Sequence, residues 1–282
     1  MRRLYISDLD GTLLGAEQAI SDYSLANLQR MVDAGLPFTV ASARSVTTMI
    51  ETLRGLKLRL PMIAFNGAFI HDPMSGERRL LARMEPGLVR ELYTLTRSMG
   101  CAPLISCWDG RADSILFEPV DPTNGGMEWY LGDRRRAADG RLREAADPLH
   151  HIAGDVVCLS LIHRRDALEP IRAELLSRYA GRVILQWYEN MYDMNWHWLT
   201  IHPTVATKAR AIEIVTGELG FTHEELVVFG DHDNDIPMFK LAGRGVAMAG
   251  ATEPLLRHAD EQIGPNDEDS VVKYIMREWE ER

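Results

Sequence analysis

The sequence predicts an α/β protein, a doubly wound parallel sheet interrupted by an inserted α+β domain. Three observations carry this. Short apolar runs alternate with amphipathic helical patterns through the first 70 residues. The texture changes between about residues 83 and 195, and the alternation resumes from residue 196. Strands spaced by helices require right-handed crossovers, which lay the strands parallel. A chain of 282 residues holds one large or two moderate domains. Residues 1–82 and 196–282 are therefore assigned to the core, and 83–195 to the insertion.

The elements follow in order. Leu4-Tyr5-Ile6-Ser7 is a buried strand running into "DLDGTLL". Ser21-Asp22 can cap a helix with Leu25, Leu28, Met31 and Val32 on its apolar face, and Gly35 ends it. "LPFTVASAR" is a strand and turn, "SVTTMIETLRGL" a helix, and "PMIAFNGAFI" a third strand breaking at Asn66-Gly67. In the insertion "DSILFEP", "DVVCLSLIHR" and "RVILQWYEN" read as strands, with "ALEPIRAELLSRYAG" a helix between the last two. "DPTNGG" and "GDRRRAADGR" read as loops. The core resumes with "WLTIHP", a helix after Lys208 and the strand "ELVVFGD". A short helix, the run "GVAMA", another short helix and a charged C-terminal helix complete it.

The formal net charge is −10, which argues against nucleic acid or an anionic membrane as partner. No apolar run approaches the roughly 20 residues of a membrane span. Met1-Arg2-Arg3-Leu4 enters the first strand without a signal-peptide pattern. Cys101, Cys107 and Cys158 are odd in number and lack zinc spacing, so free thiols in a reducing, cytoplasmic setting are expected.

In doubly wound sheets ligands bind outside the carboxyl ends of the strands. The polar clusters fall there: Asp8 and Asp10 after the first strand, Ser42 in "ASAR", and Asp231, Asn234 and Asp235 in "GDHDND". Lys208 opens the following helix. Asp8 and Asp10, two apart, share a face at a strand end and would repel unless a cation lies between them. Four converging carboxylates suit Mg²⁺, which takes oxygen ligands and leaves room for phosphate oxygens. A lysine and a hydroxyl beside it suit a phosphoryl group.

These residues resemble the four ordered motifs of the haloacid dehalogenase (HAD) superfamily: "DLDGTL", Ser42, Lys208, and "GDHDND" followed by "GVAMAGA". Asn66-Gly67-Ala68, the insertion between the second and third motifs, and "NDEDSV" near the C-terminus resemble the Cof-type phosphatases, subfamily IIB. The resemblance implies a Rossmann-like core with a cap domain that sets specificity. It further implies a Mg²⁺-dependent phosphomonoester hydrolase acting on a small phosphorylated metabolite, a sugar phosphate first, with nucleotides, cofactor-precursor phosphates such as a flavin phosphate, and broad specificity left open. Asp8 resembles the nucleophile that forms an aspartyl-phosphate, and Asp10 the general acid and base. Asp8, the Asp10 carbonyl and Asp231 resemble the metal ligands, with Asp235 in or just behind the ligand shell. The amides of Leu9 and Ala43, the Ser42 hydroxyl, Lys208 and Asn234 resemble the phosphate cradle. Asn66, Gly67 and Arg44 are expected near substrate. Gly11 is expected to allow a sharp turn, and Thr12 to orient it by bonding an aspartate.

One departure is Ser42-Ala43-Arg44, where the subfamily commonly has Thr-Gly-Arg; the hydroxyl is kept, while alanine restricts the backbone. His232, where the family often has a small residue, reads as an exposed loop residue. The tryptophans of the insertion (Trp108, Trp129, Trp187, and the adjoining Trp196 and Trp198) can stack on a sugar or fill a core, and the core reading is the commoner. Two rival functions share the same motifs: a phosphomannomutase-like phosphotransferase, and a non-catalytic phosphate-binding regulatory protein.

Overall fold

The computed structural model describes residues 2–189 and 195–280, and the chain divides into two compact units, Met1–Leu81 with Val205–Arg282, and Ala82–Thr204. The first unit opens with β1 (Leu4–Ser7), α1 (Asp22–Asp33), β2 (Phe38–Val40), α2 (Val46–Thr52), β3 (Met62–Ala64), β4 (Phe69–His71) and β5 (Arg78–Leu80). The second holds α3 (Pro86–Ser98), β6 (Leu104–Trp108), β7 (Asp113–Phe117), α4 (Gly125–Arg136), β8 (Leu142–Glu144), β9 (Asp155–Arg164), α5 (Arg165–Tyr179), β10 (Val183–Glu189) and β11 (Trp196–Pro203). The first is then completed by α6 (Lys208–Leu219), β12 (Leu226–Gly230), α7 (Ile236–Leu241), β13 (Arg244–Ala247), α8 (Glu253–Leu256), β14 (Glu261–Gln262) and α9 (Ser270–Glu280).

In the first unit the strand order is β14-β13-β12-β1-β2, parallel throughout. Alternate residues of β1 face opposite sides. Leu4 and Ile6 join Leu226 and Val228 against Ala211, Ile212 and Val215 of α6 and Met238 and Phe239 of α7. On the other face Tyr5 stacks on Phe229, which meets Tyr274 of α9 edge-on at 5.5 Å. Helices thus cover both faces, which is why β1 and β12 are buried along their length and read as unbroken apolar runs. Each large side chain withdrawn from water here contributes about 1.5–3 kcal/mol. Ser21 caps α1 by accepting from the Ser24 amide, as its sequence position implies. β3 touches the sheet through a parallel bridge, Ala41 to Ile63, then folds back as an antiparallel β3-β4-β5 hairpin set.

The second unit is a six-stranded sheet, β10-β11-β9-β6-β7-β8. Here the structure departs from the sequence reading. "WLTIHP" lies in β11, antiparallel to both β9 and β10, and not in the core sheet. Leu199 and Ile201 of β11 pack in the core under α3 and α5. A period-2 run looks the same whichever sheet receives it, so the second boundary falls at Val205 and not at 196. The run "GDRRR" is the end of α4, not a loop. Asn124 caps that helix by accepting from the Met127 amide, and among its buried residues only Met127 and Leu131 are large and apolar, so its amphipathic signal is weak. Gly126 lies flush on Trp196, where an added Cβ would sit 2.5 Å from the ring. Trp198 meets Tyr130 edge-on at 5.0 Å, so both tryptophans pack within their own unit. All three cysteines are buried and free, and burial pushes each thiol up to about 12. No helix among the described residues is long and apolar enough to cross a membrane.

Candidate active site

β1 and β12 are neighbours in register, Ser7 beside Phe229, so the segments that leave their carboxyl ends are adjacent. The Asp8 amide donates to the Phe229 carbonyl at 2.9 Å, carrying the pairing one residue further. The chain then turns tightly over Leu9–Leu13, closed by the Leu14 amide bonding the Leu9 carbonyl at 2.9 Å. Gly11 makes that turn at φ +70, and a Cβ there would stand 2.3 Å from an Asp231 oxygen. Only glycine allows the two loops this approach. The Thr12 hydroxyl donates to Asp231 Oδ1 at 3.0 Å, the aspartate bond expected of it.

Oxygens of Asp8, Asp231 and Asp235 lie within 4.8 Å of one another. Lys208, with its side chain wholly buried, reaches two of them: its Nζ stands 2.8 Å from Asp8 Oδ1 and 2.6 Å from Asp235 Oδ1. Thr207 places that lysine by capping α6, accepting from the Arg210 amide. Burial alone would favour a neutral amine, but Asp235 and Asp8 outweigh it and raise the lysine pKa, so it stays charged. Burial raises Asp8 well above the usual carboxylate range, against the pull of Lys208, and the charges of Asp235 and Asp231 add to the rise. Asp231 is pushed up to about 7, by burial first and by Asp235 second. The other Asp235 oxygen accepts from the amides of Asp231 and His232 at 3.1 and 3.2 Å, so this carboxylate is committed to holding the loop and the lysine.

Three carboxylates around one ammonium leave an excess of negative charge in a buried place, and two of them resist ionising. A divalent cation relieves that repulsion. With oxygen donors and neither histidine nor thiolate among them, the set fits a hard ion.

The second strand brings Ser42, buried, and Arg44. The Ser42 amide and carbonyl are taken by Ile63 and Asn66, and its hydroxyl accepts from the Arg44 amide at 3.2 Å. Arg44 grips Asp10 with two bonds, Nε to Oδ2 at 2.7 Å and Nη2 to Oδ1 at 2.5 Å. The same Nη2 donates to Gln18 at 3.1 Å. The Asp10 carboxylate is therefore held by an arginine and stands outside the three-aspartate cluster. Ala43 and Leu9 occupy the two turns, Leu9 fully buried. Asn66, in the left-handed region at φ 53, accepts from the Asn234 amide group at 3.3 Å. His232 is half-buried, not the exposed residue expected from sequence.

Gly67 serves packing in this structure. At φ +97 a Cβ would lie 2.1 Å from the Thr207 carbonyl, so its backbone lies directly against the residue that seats Lys208. Gly67→Ala is expected to lose on the order of 3 kcal/mol, from the positive φ and the backbone clash together, read as a lower urea midpoint at unchanged slope. Gln18 and Thr207 were not singled out by sequence. The threonine before Lys208 was legible as a helix cap, whereas nothing marks a glutamine in a turn.

A family-level sequence profile described as haloacid dehalogenase-like hydrolase matches residues 5–275. The chain is 26% identical over 269 residues to the Bacillus subtilis 5-amino-6-(5-phospho-D-ribitylamino)uracil phosphatase YitU, covering 95% of this chain and 94% of that one. It is 27% identical over 290 residues to a Klebsiella pneumoniae HMP-PP phosphatase, covering 99% and 96%. A haloacid dehalogenase-like hydrolase from Bacteroides thetaiotaomicron superposes with a TM-score of 0.80 at 28% identity, covering 98% of this chain and 99% of the other.

Proposed function

Because the chain belongs to the haloacid dehalogenase-like hydrolases, we propose that it is a Mg²⁺-dependent phosphatase of a small phosphorylated metabolite, working through an aspartyl-phosphate on Asp8. The observation that carries this is the buried Asp8 carboxylate, pinned by Lys208 at 2.8 Å beside the oxygens of Asp231 and Asp235. The relatives named above are phosphatases, and one acts on a phosphoribityl compound. A sugar phosphate is the substrate class proposed.

Lys208 holds one oxygen of Asp8, so the other is the attacking atom. It forms a bond to phosphorus as the ester P–O bond opposite breaks. Asp10, having taken a proton from solvent on a lone pair that Arg44 leaves free, gives it to the departing alkoxide, then takes one from the water that attacks the same phosphorus and releases Asp8. Arg44 fixes the plane of the Asp10 carboxylate, and each oxygen keeps a further lone-pair direction for that proton. Lys208, the Ser42 hydroxyl and the amides of Leu9 and Ala43 oppose the charge on the phosphoryl oxygens. Mg²⁺, held by Asp8, Asp231 and the Asp10 carbonyl with Asp235 behind, would add positive charge at the same oxygens.

A phosphate-release screen of phosphorylated metabolites tests the reading, and a fully inert protein in Mg²⁺ would reject it. Chelation should silence turnover, and Mg²⁺ should restore it. The pH dependence of the metal follows from Asp231. With its pKa pushed up to about 7, Asp231 in the metal-free site is mostly protonated at pH 6 and mostly ionised at pH 8, and the ion competes with that proton. Mg²⁺ binding is expected to be about tenfold weaker at pH 6 than at pH 8, by titration calorimetry, with proton release growing at the lower pH.

A further inference from the structure

The "NDEDSV" stretch is not used by the chemistry above, yet it grips the loop that follows the nucleophile turn at both ends. At one end Asn266 donates from Nδ2 to the Leu14 carbonyl at 2.6 Å. Leu14 is the buried residue whose amide closes the Asp8 turn on Leu9. At the other end Asp269 accepts from the hydroxyls of Ser21 and Ser24, the latter at 2.6 Å. Asp269 does so from the left-handed region at φ 58, which an L-residue adopts only when its surroundings hold it there. Between these anchors runs Gly15–Ile20, with Gln18 also left-handed at φ 53. Its side-chain oxygen receives the Arg44 Nη2 that bonds Asp10.

We infer that Asn266 and Asp269 form a latch that sets the loop carrying Gln18, and that Gln18 and Arg44 thereby aim the Asp10 carboxylate. Gln18, Asn266 and Asp269 are positioning residues, since each is placed to act on Asp10 through other residues. The latch holds the chain's own Leu14 carbonyl at one end and the Ser21 and Ser24 hydroxyls at the other. The inference rests on the proposed role of Asp10 as general acid, and its signature follows from that role. A misaimed acid matters most when the leaving oxygen is a poor one.

The experiment is single-turnover alcohol release from p-nitrophenyl phosphate, phenyl phosphate and glycerol 2-phosphate in saturating Mg²⁺, paired with hydrogen exchange over residues 9–20. Gln18→Leu is expected to slow glycerol release about tenfold and nitrophenol release about twofold or less, with Gln18→Glu, which keeps the acceptor, close to wild type. Asn266→Asp keeps the shape but removes the donor. It should give the same leaving-group dependence and raise exchange at residues 9–20 about tenfold, while β12 stays protected. Equal slowing with all three esters, or exchange unchanged in Asn266→Asp, overturns the latch. Wild-type protein inert toward all three esters overturns the phosphatase reading, and is recognised separately because the exchange difference then persists without turnover.

Discussion

Asp8→Asn is expected to lower phosphatase turnover by about 10⁴-fold or more, with no loss of stability. The amide has nearly the shape of the carboxylate, and its oxygen can still accept from Lys208, so the phosphate site keeps its geometry. It cannot form the phosphoryl bond, and removal of a nucleophile leaves only what positioning supplies. The stability half follows from burial, which raises the Asp8 pKa well above the ordinary carboxylate range. A neutral side chain at this position is cheaper to bury than a charged one. Metal-free Asp8→Asn should therefore melt at or above the wild-type temperature at pH 8. Turnover within tenfold of wild type would remove Asp8 from the chemistry, and a melting point several degrees lower would show that the lysine pair outweighs desolvation.

Lys208→Met has the opposite stability signature. It keeps side-chain length but strips the ammonium from Asp8 and Asp235, whose side chains are 7% and 0% exposed. Breaking one partner from a buried ion pair costs about 3–5 kcal/mol, because the charge left behind has neither water nor a counterion. The loss should be greatest in metal-free protein at pH 8. It should shrink on acidification, as the neighbouring Asp231, pushed up to about 7, takes up its proton, and on adding Mg²⁺, which replaces part of the missing charge. Urea unfolding at pH 6 and 8, with and without Mg²⁺, reads all four conditions. A loss independent of both pH and metal would assign the effect to packing. Lys208→Arg should not rescue, since a planar guanidinium needs a wider and differently directed set of acceptors.

Much of the core was legible because buried parallel strands are nearly pure apolar runs and their ends are marked by abrupt polarity. Leu4–Ser7 followed by Asp8, and Leu226–Gly230 followed by Asp231, show this. The same abruptness made Asp8, Asp231, Asp235 and Lys208 visible, and the structure brings these four together. What sequence could not give was partnership. Arg44 pairs with Asp10, and no spacing rule links a turn arginine to an aspartate 34 positions away. Nor does any spacing rule show that Gly67 lies against the Thr207 carbonyl. β11 went to the wrong sheet because alternation reports a half-buried strand and not its neighbours. α4 was missed because glycines and arginines dilute its apolar face.

The central place of β1 has a consequence for how the molecule is made. Its neighbour on one side, β2, is synthesised soon after it, but β12 is translated only after the whole second unit has emerged. Thr12 and the Asp231 oxygen it bonds are 219 positions apart. Closing so long a stretch costs more chain entropy than closing a short one, though only logarithmically more, and it makes assembly slow. On the ribosome β1 must wait with one edge open, a sticky template for other nascent chains. The charged pocket is thus among the last features to form, and its carboxylates meet one another only once the rest of the sheet is able to hold them.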